Sequence, residues 1–157
     1  MLSGDLCHDP SPEGYERVRD MLGDWVDRTL VVPGNHDDRE MVRAAFGRPG
    51  AGSDAVCFRS ELRRWQLIGL DTVAPGEGHG WLNDAQLDQL DAWLAIELAL
   101  PSLLFLHQPP ATLGSPWLDP MLLRNPEQLA SRPPPAAGSA PCSAATPISS
   151  RWNRWRG

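Results

Sequence analysis

The run Gly34-Asn35-His36-Asp37-Asp38 sets an amide, an imidazole and two carboxylates side by side. Oxygen and nitrogen donors of these types suit a hard or borderline divalent cation. They follow Thr29-Leu30-Val31-Val32, a β-branched and apolar stretch that predicts a short buried strand over 29–32, turned by Pro33-Gly34. In open α/β sheets, ligands bind just outside the carboxyl ends of strands, where these side chains fall. Two further segments end in the same way. Gly4-Asp5 lies in 3–9, which reads as the end of a strand, and His107 closes the apolar stretch 102–107 before Gln108-Pro109-Pro110. Each residue also has a plain reading. Asp5 suits a turn, Asn35 and Asp37 are turn formers, and a histidine ending a buried strand is commonly structural. Their shared register favours a metal site. Cys7 and His8 stand close to Asp5, but no second cysteine pair completes a zinc set. His79, in a glycine-rich loop, reads as solvent-facing, with a place on a substrate rim as the alternative. Asp71 reads as a strand-end acid that supports the same loop.

The elements that must position these groups follow from periodicity and end signals. Ser11-Pro12 opens a helix over 13–25, with Tyr15, Val18, Leu22 and Val26 at helical spacing. A short helix over 39–46 is stopped by Gly47. Segments 55–60 and 65–71 predict the two strands of a hairpin, and a glycine-rich loop follows. The clearest helix spans 84–98, with Leu87, Leu90, Leu94 and Leu98 on one face and Trp93 beside it. Segment 102–107 predicts a buried strand. At 125–130, Asn125 is placed to cap a helix with Pro126 first and Gln128 third. Strands alternating with helices predict an α/β layered domain.

Composition divides the chain in two. All 20 acidic residues lie in 1–130, against 10 arginines, a net charge of −10; residues 131–157 carry four arginines and no acid. That second segment is built from Pro, Ala, Ser, Arg and Gly without a helical or strand period, and predicts a disordered tail. Trp152 and Trp155 among its arginines are weak support for a nucleic-acid or membrane patch. The overall charge of −6 argues against nucleic acid as a partner. No apolar run reaches the ~18–20 residues of a membrane span. No signal-like start is present, and the three cysteines are widely spaced, so a reducing cytoplasm is the expected location. Every one of the 14 basic residues is Arg, as GC-rich coding would give.

The order Gly4-Asp5, then Gly34-Asn35-His36-Asp37, then His107 before two prolines resembles that of the calcineurin-like metallophosphoesterases. The stretches "VPGNHDDRE", "LDTVAPGEGHGWLNDAQLDQLDAWL", "LFLHQPP" and "PWLDPMLLRNPEQL" resemble its class III cyclic-nucleotide phosphodiesterase branch, from residue 3 to about 129. The resemblance implies a four-layer α/β/β/α sandwich. It implies a metal-dependent phosphoric diester hydrolase of the 3′,5′-cyclic nucleotide type, with a small phosphodiester as substrate; a glycerophosphodiester is the alternative. It makes Asp5 the carboxylate bridging two metals of the Fe, Mn or Zn type, and Asn35 and His107 ligands of the second metal. His36 would face the phosphate and assist the departing alkoxide. The family pattern also has an Asp-x-His before the first of these motifs and a Gly-His-x-His after the last, and neither occurs in this sequence. The expectation is therefore a partial metallophosphoesterase domain over 1–130, its sandwich truncated at both ends, with at most one partial metal site. Residues 131–157 would be a tail of the kind a frameshift produces. An inactive relic that binds metal weakly is the competing reading.

Overall fold

The computed structural model describes residues 1–50, 54–96 and 100–132. Leu98 and nearly all of the 131–157 segment lie outside these residues. Strands β1 (Leu2–Ser3) and β2 (Val31–Val32) pair in parallel, Leu2 opposite Val31 and Ser3 opposite Val32. Parallel strands need a crossover, supplied by helix α1 (Pro12–Leu22) and the 3-10 turn Gly23–Arg28. The α1 start is the predicted one: the Ser11 hydroxyl accepts from the Gly14 N–H at 3.1 Å, and Pro12 is the first residue. Its end is not. The helix stops at Leu22, and Trp25 lies in the tighter turn. Helix α2 (Arg39–Phe46) has the predicted bounds, because Asp38 accepts from the Met41 N–H at 2.8 Å and Gly47 closes it with φ 59°. Tyr15, Val31, Val42, Phe46 and Val56 pack with Cys7 into a first core beneath these elements.

The second sheet has the order β3 (Phe58–Leu62), β4 (Trp65–Gly69), β5 (Ser102–Phe105). β3 and β4 form the expected antiparallel hairpin, while β4 and β5 run parallel, from Gln66 opposite Ser102 to Gly69 opposite Phe105. Helix α3 (Asp84–Ile96) makes this crossover. It opens on a reciprocal cap: Asn83 Oδ1 accepts from the Gln86 N–H at 2.9 Å, and Gln86 Oε1 from the Asn83 N–H at 3.1 Å. Ile68 and Leu70, at and just beyond the end of β4, pack with Leu87 and Leu90 of α3 and with Leu82, Leu123 and Leu129 in a second core. Helices with parallel and antiparallel strands make this an α/β fold. None of the helices among the described residues is long and apolar enough to cross a membrane.

Strand limits depart from expectation for identifiable reasons. Only Leu2–Ser3 of the first strand pairs, because Gly4 (φ 99°) and Asp5 (φ 54°) turn the chain out of the ladder. The strand expected over 29–32 is confined to Val31–Val32. The first hairpin strand begins at Phe58 rather than 55, since the Val56 N–H is taken by Asp71 Oδ2 at 2.8 Å. β4 ends at Gly69 and β5 at Phe105, so Asp71 and His107 each lie two residues past a strand. β5 is not fully buried: Leu103 is 42% exposed. Asn125 does not cap α4 (Pro126–Ala130) through its side chain. Its buried carboxamide instead satisfies both backbone groups of Leu82, accepting from the N–H at 3.1 Å and donating to the carbonyl at 2.7 Å.

Candidate metal centre

Asp5, Asn35 and His107 sit on the segments that follow β1, β2 and β5. Because β1 and β2 are parallel, the first two segments leave the same edge of their sheet. His107 reaches them from the other sheet. Its Nδ1 lies 2.7 Å from the Ser3 carbonyl oxygen, which can only accept, so Nδ1 carries a proton. In the neutral ring this leaves a lone pair on Nε2, which lies 3.3 Å from Asn35 Oδ1 and 3.4 Å from Asp5 Oδ1. At these distances the Nε2 lone pair faces those of both oxygens, and a cation among them removes the conflict. Donors held ~2.0–2.2 Å from one ion stand about 2.8–3.6 Å apart, which is the range observed. The residues fit a divalent cation. Among the described residues no three His, Cys, Asp or Glu side chains gather, so the set depends on the amide oxygen of Asn35.

The loops meet closely because two glycines face each other. A Cβ on Gly34 would lie 2.2 Å from Asp5 Oδ1 and 2.8 Å from His107 Cε1. One on Gly4 would lie 2.5 Å from His107 Nδ1 and 2.7 Å from Gly34 Cα. The left-handed backbone of Gly4 adds a second reason for glycine there.

His36 stands apart from the donor trio. Its backbone N–H donates to Asp5 Oδ1 at 3.2 Å, while its exposed ring packs on that of His8, centroids 4.6 Å apart and planes tilted by 32°. Cys7 belongs to the first core, and burial, then the charge of Asp37, pushes its thiol above the usual range. His79 is half-buried and lines an open groove with Arg39, Trp81 and Asn83, its Nδ1 3.6 Å from Glu77. Asp71 is wholly buried: its carboxylate accepts from Arg39 Nε at 2.7 Å and from the N–H groups of Val56 and Val73. It braces the start of the glycine-rich loop, as its sequence position suggests. Two residues have roles that their sequence positions do not show. Asp37 is 9% exposed and turned inward, bonded to the hydroxyl of Tyr15 at 3.0 Å. Helical spacing marks Tyr15 as core, and nothing in it tells where the hydroxyl goes.

No family model matches the chain. Curated relatives do. It is 37% identical over 125 residues to a protein of Synechococcus described as a probable cyclic nucleotide phosphodiesterase, covering 80% of this chain and 48% of that one. A 3′,5′-cyclic adenosine monophosphate phosphodiesterase of Pseudomonas aeruginosa is 34% identical over 131 residues, 82% of this chain and 46% of the relative. A glycerophosphodiester phosphodiesterase of Enterobacter lignolyticus is 33% identical over 135 residues, 82% of this chain and 48% of the relative. The chain thus spans about half the length of the curated relatives it matches. Over about 80% of its own length the chain is thus similar to cyclic-nucleotide and glycerophosphodiester phosphodiesterases, in keeping with its resemblance to the calcineurin-like metallophosphoesterases.

Proposed function

We propose that this chain carries the second-metal half of a phosphodiester hydrolase site, acting on a small phosphodiester such as a 3′,5′-cyclic nucleotide or a glycerophosphodiester. The observation that carries the reading is the approach of Asp5 Oδ1 and Asn35 Oδ1 to within 3.4 Å of His107 Nε2, with the exposed His36 next to Asn35 in the chain. Bound there, a divalent cation of the Mn, Fe or Zn type supplies positive charge for the phosphoryl oxygens. Asp5, Asn35 and His107 would hold the cation, the carboxylate giving negative charge and the amide and imidazole neutral lone pairs. The backbone N–H of His36 steadies Asp5 Oδ1, so the orientation of the carboxylate is tied to the residue that meets substrate. The exposed His36 imidazole is placed to give the departing alkoxide a proton or a charge-assisted hydrogen bond. The relatives named for cyclic nucleotides and for glycerophosphodiesters support this substrate class.

The finer architecture follows the same reading. The two sheets are the inner layers of a four-layer sandwich, with α1 and α2 outside one and α3 outside the other, and residues 1–130 form the domain. Unpaired Cys7 and Cys57 accord with a reducing cytoplasm.

The test uses the full chain with Mn²⁺, measuring bound metal and hydrolysis of bis-p-nitrophenyl phosphate and cyclic AMP. Asn35→Ala is expected to weaken metal binding by at least ~10–100-fold, since even a partner behind the ligands costs that much. His36→Ala is expected to lower kcat with metal content little changed. Activity indifferent to both substitutions would overturn the assignment. Three donors among the described residues favour a second reading, weak metal binding without turnover. Metal uptake sensitive to Asn35→Ala, with no hydrolysis of either substrate, would establish it.

A further inference from the structure

We propose that Tyr15 and Asp37 form a buried clasp that sets the spacing of the donors, making them positioning residues; the metal part of this rests on the proposed centre. Asp37 follows His36 in sequence but turns the other way. Its Oδ1 accepts from the N–H of Leu6 at 3.0 Å, the N–H of Cys7 at 3.2 Å and the Tyr15 hydroxyl at 3.0 Å. Its Oδ2 accepts from the Gly34 N–H at 2.9 Å, and from Leu6 again at 3.2 Å. One carboxylate therefore gathers the amide directly after Asp5 and the amide directly before Asn35. The two ligand-bearing loops are tied one residue away from each ligand.

Tyr15 anchors the tie to a rigid element. It is almost wholly buried on α1, its hydroxyl donates to Asp37, and its oxygen accepts from the Asp38 N–H at 3.0 Å. The Asp38 side chain in turn caps α2. The clasp thus couples β1, β2, α1 and α2 at one point. Hydrogen bonds to a buried carboxylate are about twice as strong as neutral ones, and removing the acceptor leaves buried N–H groups unsatisfied. The loops would separate, and with them Asp5 Oδ1 and Asn35 Oδ1.

A plain structural role predicts a loss of stability and nothing specific to the loops. The experiment compares the full chain with Asp37→Asn, Tyr15→Phe and, as a control in the other core, Leu90→Ala. Amide exchange, measured without metal at matched global stability, should accelerate about tenfold or more at Leu6, Cys7 and Gly34 in the first two variants, as for loss of one hydrogen bond. In Leu90→Ala it should not. Mn²⁺ affinity, read by electron paramagnetic resonance, should fall about 10–100-fold in Asp37→Asn, less in Tyr15→Phe, and stay near wild type in Leu90→Ala. Tyr15→Phe keeps the ring and the fold if Asp37→Asn does not survive. Wild-type protection of the three amides in Tyr15→Phe overturns the clasp. An equal loss of Mn²⁺ affinity in Leu90→Ala overturns the positioning role. Wild-type chain that takes up no Mn²⁺ removes the metal reading and the positioning role together, while the exchange measurement still decides the clasp.

Discussion

His107 does two things with one ring. Nδ1–H holds the Ser3 carbonyl, and Nε2 faces Asp5 and Asn35. These can be separated by substitution. His107→Asn offers a shorter amide that retains a donor near Ser3 but withdraws the distant nitrogen; His107→Ala removes both. Mn²⁺ affinity should therefore drop in both variants, while stability falls by roughly 1 kcal/mol more in the alanine variant, the net worth of one hydrogen bond. Urea unfolding and metal titration check the two arms, and equal stability in the two variants would show that the Ser3 contact contributes nothing. The donors themselves were legible, since Asp, Asn and His beyond strand ends are recognisable by type and place. The inward turn of Asp37 was not. A turn-forming aspartate and a buried clasp have the same letter, and only the fold brings the amides of Leu6 and Cys7 to it.

At the level of elements, local signals predicted best where the hydrogen bonds are local. The limits of α2 follow from Asp38 and Gly47, both within one turn of the helix they bound. Strand limits are less legible, because pairing depends on a distant partner. The strand expected over 55–60 runs instead from Phe58 to Leu62, in register with its mate Trp65–Gly69. Asn125 shows a local rule overridden: Asn-Pro-x-Gln reads as a cap, yet the carboxamide serves the backbone of Leu82, 43 residues away. The hairpin turn holds a testable strain. Arg63 has φ 55°, a left-handed backbone that costs most side chains roughly 1–2 kcal/mol. Asparagine visits this region more readily, so Arg63→Asn should raise unfolding stability by about 0.5 kcal/mol. A lower urea midpoint in this variant would contradict the backbone assignment.

At the scale of the molecule, the described residues rest on two cores and two small sheets, joined at the candidate centre by the His107–Ser3 contact. The α/β class was readable from the alternation of patterns, but which strand ends face each other depends on contacts more than a hundred residues apart. The buried acids also set the alkaline limit of the fold. Burial raises the Cys57 thiol above its ordinary 9.0, against the lowering effect of the Asp71 N–H bonded to it; burial likewise raises the Tyr15 phenol above its ordinary 10.0, with Asp37 adding to the effect. Above those ordinary values the unfolded chain releases protons that the folded chain keeps, so stability is full below about pH 9 and declines as pH rises through the folded values. Urea midpoints should be level from about pH 7 to about 8.5 and fall beyond. A level midpoint to about pH 11 would show these groups to be accessible in the native state. The facing pair Gly4 and Gly34 has a consequence for descent. A methyl group on either strikes the other loop, and each glycine walls in its neighbour. No single codon change opens room for a second, so neutral drift has no first step here, and any lineage that keeps the three donors together inherits both glycines as one unit.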